Sequence, residues 1–214
     1  MEILTAVRSP GWDDSSRPVK TVALLLHGFG SNEHDLPGLA PWLPPGMPWV
    51  SPRAPLAMQG MGYAWFPLSL PEPPGPEHID EATAALWAWI DADLGPETLV
   101  VPVGFSQGGL MATQLLRTRP DRVAATVVLA GFVAGTAQPA DALLAERLPP
   151  VFWGRGDADE VIPREAVSGA ADFLPHHTSL TARVYAGLAH SVDERVMSDV
   201  RGFLEQVERS PSDH

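Results

Sequence analysis

The chain has 214 residues, 45% of them apolar and 19% charged, which fits one folded domain over 1–214 with a single sizeable core and excludes a disordered chain. Its 26 acidic against 14 basic residues leave a net charge of −12, a surface that repels phosphate backbones and anionic lipid, so nucleic acid is not an expected partner. The absence of cysteine rules out disulfides, thiolate metal sites and a cysteine nucleophile.

Met1–Arg8 lacks a basic leader with a long apolar run behind it, so it does not read as a signal peptide. No apolar run approaches the roughly 18–20 residues that span a bilayer. The expected protein is soluble and cytoplasmic. Val22–Leu26 is a solid apolar run, and His27 ends it and opens His27-Gly28-Phe29-Gly30. Met58, Met61, Tyr63, Trp65 and Phe66 lead into a proline-rich stretch at 67–76, which reads as a rigid surface loop or as a flap beside a substrate groove. On the second reading Met58, Met61, Trp65 and Phe66 are the candidate substrate-binding residues; packed core is their other reading.

The spacing predicts a helix over Ile79–Leu94 that stops at Gly95-Pro96, then a strand at Leu99–Val101. A second helix is expected over Leu110–Arg119, before Pro120. Strands follow at Thr126–Leu129 and Val151–Trp153, a helix at Arg164–Leu174 between two prolines, and a strand at Ala182–Tyr185. The last helix, Ser191–Val207, carries an apolar stripe through Val192, Val196, Val200, Phe203, Leu204 and Val207. Solid apolar runs mark strands buried on both faces, so the expected class is α/β, with a mostly parallel central sheet and helices on both faces.

Between the strand at 99–101 and the helix after it stands Gly104-Phe105-Ser106-Gln107-Gly108. A tight strand-to-helix turn projects a serine at a fixed point but strains its backbone, and its close neighbours must be small. The new helix also starts here, so N–H groups without intrahelical acceptors, that of Gln107 included, face the site. A serine hydroxyl needs a base. The chain order Ser, acid, His leaves four downstream histidines, and only His190 directly follows a strand pattern. Val151–Trp153 leads into Asp157, Asp159 and Glu160, which compete for the third role, with a modest edge to Asp159. His27 lacks partners at metal-ligand spacing and reads as a support for its own loop. No metal or cofactor is expected.

These motifs, together with Gly156-Asp157-Ala158-Asp159, Gly187-Leu188-Ala189-His190-Ser191, Pro52-Arg53-Ala54-Pro55 and Gly62-Tyr63-Ala64-Trp65-Phe66, resemble the α/β-hydrolase carboxylesterases. Within them the chain is most similar to the small phospholipase/carboxylesterase group that includes acyl-protein thioesterases. The likeness runs from about residue 20 to 205. It implies an α/β-hydrolase fold without a large cap domain, and a triad of Ser106, Asp159 and His190 with Asp157 supporting the loop. It also implies oxyanion donors at the backbone N–H groups of Phe29 and Gln107. Arg155 departs from the group's usual histidine. The implied function is a serine carboxylesterase acting on small-molecule esters of short to medium acyl length. The alternatives are an acyl-protein thioesterase or lysophospholipase and, in another class, a catalytically slow ligand-binding relative. Relatives often dimerise, so the resemblance allows a homodimer without naming its surface.

Overall fold

A computed structural model describes residues 5–12, 20–60, 62–68 and 74–209. Among these, seven strands form one sheet in the order β1-β3-β2-β6-β7-β8-β9. The strands are β1 (Ala6–Arg8), β2 (Thr21–Leu26), β3 (Trp49–Pro52), β6 (Leu99–Phe105), β7 (Thr126–Leu129), β8 (Pro150–Gly156) and β9 (Ser179–Tyr185). Only the edge strand β1 runs antiparallel to its neighbour. A short hairpin of β4 (Leu56–Met58) and β5 (Gly62–Ala64) stands apart from the sheet.

Alternation along the strands divides the core in two. Val22, Leu24 and Leu26 of β2 face one side, while Ala23 and Leu25 face the other. The first side is covered by α1 (Pro76–Asp93), α2 (Gln107–Thr118), α3 (Asp141–Arg147) and α4 (Arg164–His177). The second is covered by α5 (Glu194–Arg209) and the short 3-10 turn Leu36–Trp42. The stripe of α5 buries Val196, Met197, Val200, Phe203 and Leu204, as its spacing requires. The architecture is therefore the expected mostly parallel sheet clothed on both faces, with no large cap among the described residues. No helix among them is long and apolar enough to cross a membrane.

Several boundaries differ from expectation. β6 continues through Pro102 to Phe105, because its ladder to β7 begins only at Val103 and Pro102 owes no N–H there. α1 begins at Pro76, whose missing N–H costs nothing in a first turn. α4 runs past Pro175 to His177. Its end is held by side chains: the Nδ1 atoms of His176 and His177 donate to the carbonyls of Asp172 and Phe173, both at 2.8 Å, and Thr178 Oγ1 donates to that of Leu174 at 2.7 Å.

Close packing fixes where α2 sits. A Cβ on Gly108 would lie 2.0 Å from the carbonyl oxygen of Leu26, whereas one on Gly202, mid-way along α5, would meet nothing within 4 Å. Gly108→Ala is therefore expected to lower unfolding free energy by roughly 1–3 kcal/mol through overpacking. Gly202→Ala should raise it by roughly 0.5–1 kcal/mol through helix propensity. Urea unfolding of the two variants checks both signs.

Candidate active site

Ser106 closes β6 and caps α2 with φ 54° and ψ −115°, a left-handed conformation that a side chain disfavours. Its surroundings enforce the strain. The Ser106 N–H donates to Leu129 O at 2.9 Å, and the Ser106 carbonyl accepts from the N–H groups of Gly109 at 2.9 Å and Leu110 at 3.2 Å. Gly104 and Gly108 face each other so closely that a Cβ on Gly104 would lie 2.0 Å from Gly108 O. Only a chain with glycine at both positions can make this turn.

Two loops at the same end of the sheet bring an acid and an imidazole together. Asp159 follows β8 and His190 follows β9, and His190 Nδ1 lies 2.8 Å from Asp159 Oδ2. A carboxylate only accepts, so Nδ1 carries the proton of this bond and Nε2 is the ring nitrogen left for another partner. Asp159 Oδ1 takes the N–H groups of Val161 at 2.9 Å and Ile162 at 3.2 Å. Burial pushes the Asp159 carboxyl upward, but these bonds outweigh it and hold the group below its ordinary value. Asp157 serves elsewhere: its Oδ1 accepts from Gly187 N–H at 2.7 Å and ties the two loops. The backbone bonds Asp157 N–H to Tyr185 O and Ala158 N–H to Leu188 O, both 3.1 Å, add to that tie. The Phe105 ring, next to Ser106, rests against the His190 ring at 4.9 Å between centroids.

The His27-Gly28-Phe29 turn lies over the serine. A Cβ on Gly28 would stand 3.5 Å from Ser106 Cβ. His27 is fully buried, with Nδ1 donating to Gly28 O at 2.8 Å and Nε2 accepting from Ala54 N–H at 3.1 Å. That pairing requires the neutral ring, and burial lowers its pKa accordingly, against the opposing hydrogen bond to Gly28. The turn is also clipped to β5 by Gly30 N–H to Tyr63 O at 2.9 Å and Tyr63 N–H to Ser31 O at 2.8 Å.

Of the expected substrate-binding residues, Met58 is half-buried at the end of β4 and Met61 lies outside the described residues. Trp65 and Phe66 require correction. They are 2% and 1% exposed and belong to the core, so they offer no face to a substrate. Their backbone instead serves the elbow. Gln107 Oε1 accepts from Trp65 N–H and Gln107 Nε2 donates to Phe66 O, each at 2.8 Å, and Trp65 Nε1 donates to His27 O at 2.9 Å. Phe29, by contrast, is 37% exposed. The sequence reading missed the Gln107 side chain, the Phe105 ring and a half-buried ion pair between Glu33 and Arg53. The aromatic cluster's second reading, packed core, was the signal for Trp65 and Phe66. Among the described residues, no group of three or more His, Asp or Glu side chains is placed to hold a metal ion.

Because the folded ring of His27 binds its proton more weakly than the usual 6.5, the unfolded chain takes up more protons between the two values. Stability from this residue is complete above about pH 6.5 and falls as pH drops through the window beneath it. His27→Gln should flatten that part of the stability–pH curve, read by urea unfolding between pH 7.5 and 5. An unchanged slope would refute the assignment.

The match to the phospholipase/carboxylesterase family model runs over residues 13–208. The chain is 28% identical over 212 residues to acyl-protein thioesterase 1 of Kluyveromyces lactis, covering 88% of this chain and 92% of that one. Among solved structures, esterase PE8 superposes with a TM-score of 0.77 at 27% identity, covering 95% of this chain and 99% of its own. The Bacillus cereus carboxylesterase superposes at 0.78 with 21% identity, covering 96% and 95%, which speaks for a shared fold. The chain belongs to the phospholipase/carboxylesterase family, has the α/β-hydrolase fold, and is a serine hydrolase of carboxylic esters.

Proposed function

We propose that Ser106, His190 and Asp159 are the catalytic triad of a carboxylesterase that cleaves small-molecule esters of short to medium acyl length. The observation that carries this reading is the 2.8 Å bond from His190 to Asp159, made at the sheet end where Ser106 is held in its strained turn. In the proposed sequence Ser106 Oγ attacks the ester carbonyl carbon while His190 Nε2 takes the hydroxyl proton. Asp159 accepts the Nδ1–H and steadies the imidazolium as it forms. The carbonyl oxygen, now negative, faces the backbone N–H groups of Phe29 and Gln107. Donors of this kind are worth about 3–4 kcal/mol each in related systems. His190 then gives its proton to the leaving alcohol. Water then attacks the acyl carbon and loses a proton to the same nitrogen; the bond from that carbon to Ser106 Oγ breaks, the oxygen takes the proton back from His190, and the acid leaves.

Two features support the substrate class. No large cap stands among the described residues, which suits esters of modest size. The surface charge of −12 disfavours polyanionic substrates. Exposed Phe29 and half-buried Met58 are the proposed apolar contacts for the acyl group. A second reading, protein de-acylation at a thioester, is favoured by the 28% identity to an acyl-protein thioesterase. It uses the same machinery on a different leaving group.

Nitrophenyl esters of two to twelve carbons, tested beside an acyl-thioester peptide, separate the two. The ester reading expects higher kcat/KM on the short and medium esters, and a clear preference for the thioester peptide supports the second. Ser106→Ala should lower kcat by roughly 10⁶. Asp159→Asn should lower it by roughly 10⁴, since the amide leaves His190 in the wrong tautomer. A Ser106→Ala enzyme that keeps wild-type rates removes the triad altogether.

A further inference from the structure

An oxyanion donor works only if its N–H points at one spot, and the loop from His27 to Glu33 has no ladder of its own to fix it. Four anchors hold it: His27 to Ala54, Trp65 to His27, Gly30 and Ser31 to Tyr63, and Glu33 to Arg53. The last is unusual in its chemistry. The Glu33 side chain is 1% exposed, in a chain with 26 acidic residues that otherwise have a large surface to occupy. Arg53 meets it as a fork, Nε donating to Oε2 at 2.7 Å and Nη2 donating to Oε1. The guanidinium lies over the Tyr63 ring at 4.5 Å from its centroid, and Tyr63 is the residue whose backbone clips Gly30 and Ser31. The backbone of Arg53 is fixed in turn by its N–H to Thr5 O at 2.8 Å. The bonds from Arg53 draw the Glu33 carboxyl down to about 2, which favours its ionised form.

An ion pair whose carboxylate is buried and whose guanidinium is a third exposed is a poor way to gain stability, since the desolvation of the one and the solvent screening of the other offset the attraction. What a planar fork supplies is direction. We propose that Glu33 and Arg53 are positioning residues that aim the Phe29 N–H at the developing oxyanion. The pair sets the height and tilt of the loop against the Tyr63 clip, and touches neither substrate nor reacting atoms. This rests on the triad and oxyanion reading above.

A brace that aims a transition-state donor differs from a plain structural brace in what it changes. Its loss lowers kcat and weakens tetrahedral adducts, with little effect on ground-state binding. The probes are a trifluoromethyl ketone, whose carbonyl carbon bonds to Ser106 Oγ while the serine proton passes to His190, and the matching methyl ketone, bound mainly unreacted. Arg53→Met, Arg53→Lys and Glu33→Gln are compared with wild type for kcat, KM, inhibition by both ketones, and Tm.

The expected result for Arg53→Met is a tenfold to hundredfold fall in kcat, KM within twofold, and trifluoromethyl ketone affinity falling by the factor seen in kcat/KM. Methyl ketone affinity stays near wild type, and Arg53→Lys, which keeps the charge without the fork, falls between. If Arg53→Met does not fold, Arg53→Lys and Glu33→Gln carry the same comparison. The proposal is overturned if the folded variants change only Tm, if KM rises at constant kcat, or if both ketones weaken equally. Failure of the triad reading is separate: it appears as wild-type activity that survives Ser106→Ala, whatever the Arg53 variants do.

Discussion

The molecule turns on a steric exclusion. Where α2 begins, the carbonyl oxygens of Leu26 and Gly108 occupy the space that Cβ atoms on Gly108 and Gly104 would need. The start of the helix is thereby pressed against the ends of β2 and β6, and the one residue between them, Ser106, is forced to positive φ. Strain of this kind persists only where the surroundings over-determine it. Here they do: the Ser106 N–H is tied to β7 and its carbonyl to the first turn of α2, both inside a sheet buried on two sides. The core is what makes an unfavourable serine conformation cheap to keep.

Around that fixed point the loops follow a division of labour. Asp157 laces the loop after β8 to the loop after β9, which frees Asp159 to meet His190. On the other side, the Gln107 side chain substitutes for a strand, pairing with the backbone of Trp65 and Phe66. The hairpin β4–β5 is anchored there, and through Tyr63 it holds the turn that carries Phe29. The loops that carry Asp159, His190 and Phe29 are thus tied by bonds that neighbouring loops supply. In the proposed mechanism this is electrostatic preorganisation: donors are aimed before charge appears, and no reorganisation is needed when it does.

How much of this was legible depends on whether the constraint is local. β2, β6, β7 and β8 announced themselves because strands buried on both faces must be apolar throughout. β1, β3 and the β4–β5 hairpin were silent: they run only three or four residues each, and all but β3 lie at the edge of the sheet or off it. α3 has seven residues, too few to show a period. The elbow was legible because its glycines are demanded within five residues of chain. Choosing among Asp157, Asp159 and Glu160 was not, since the choice depends on which way each side chain leaves its loop. Trp65 and Phe66 had the composition of a pocket and the burial of a core, and composition does not separate these. Glu33 and Arg53, twenty residues apart, meet only through the tertiary fold, and neither stands in a pattern that signals a partner.

Whether Ser106 reacts at a site whose oxyanion donors are the N–H groups of Phe29 and Gln107 can be read from a crystal structure of the fluorophosphonate adduct. Phosphorus is expected on Ser106 Oγ, with the phosphoryl oxygen about 2.7–3.1 Å from both N–H nitrogens and His190 still joined to Asp159. Phosphorus on any other residue, or an oxygen turned away from both nitrogens, would refute that assignment.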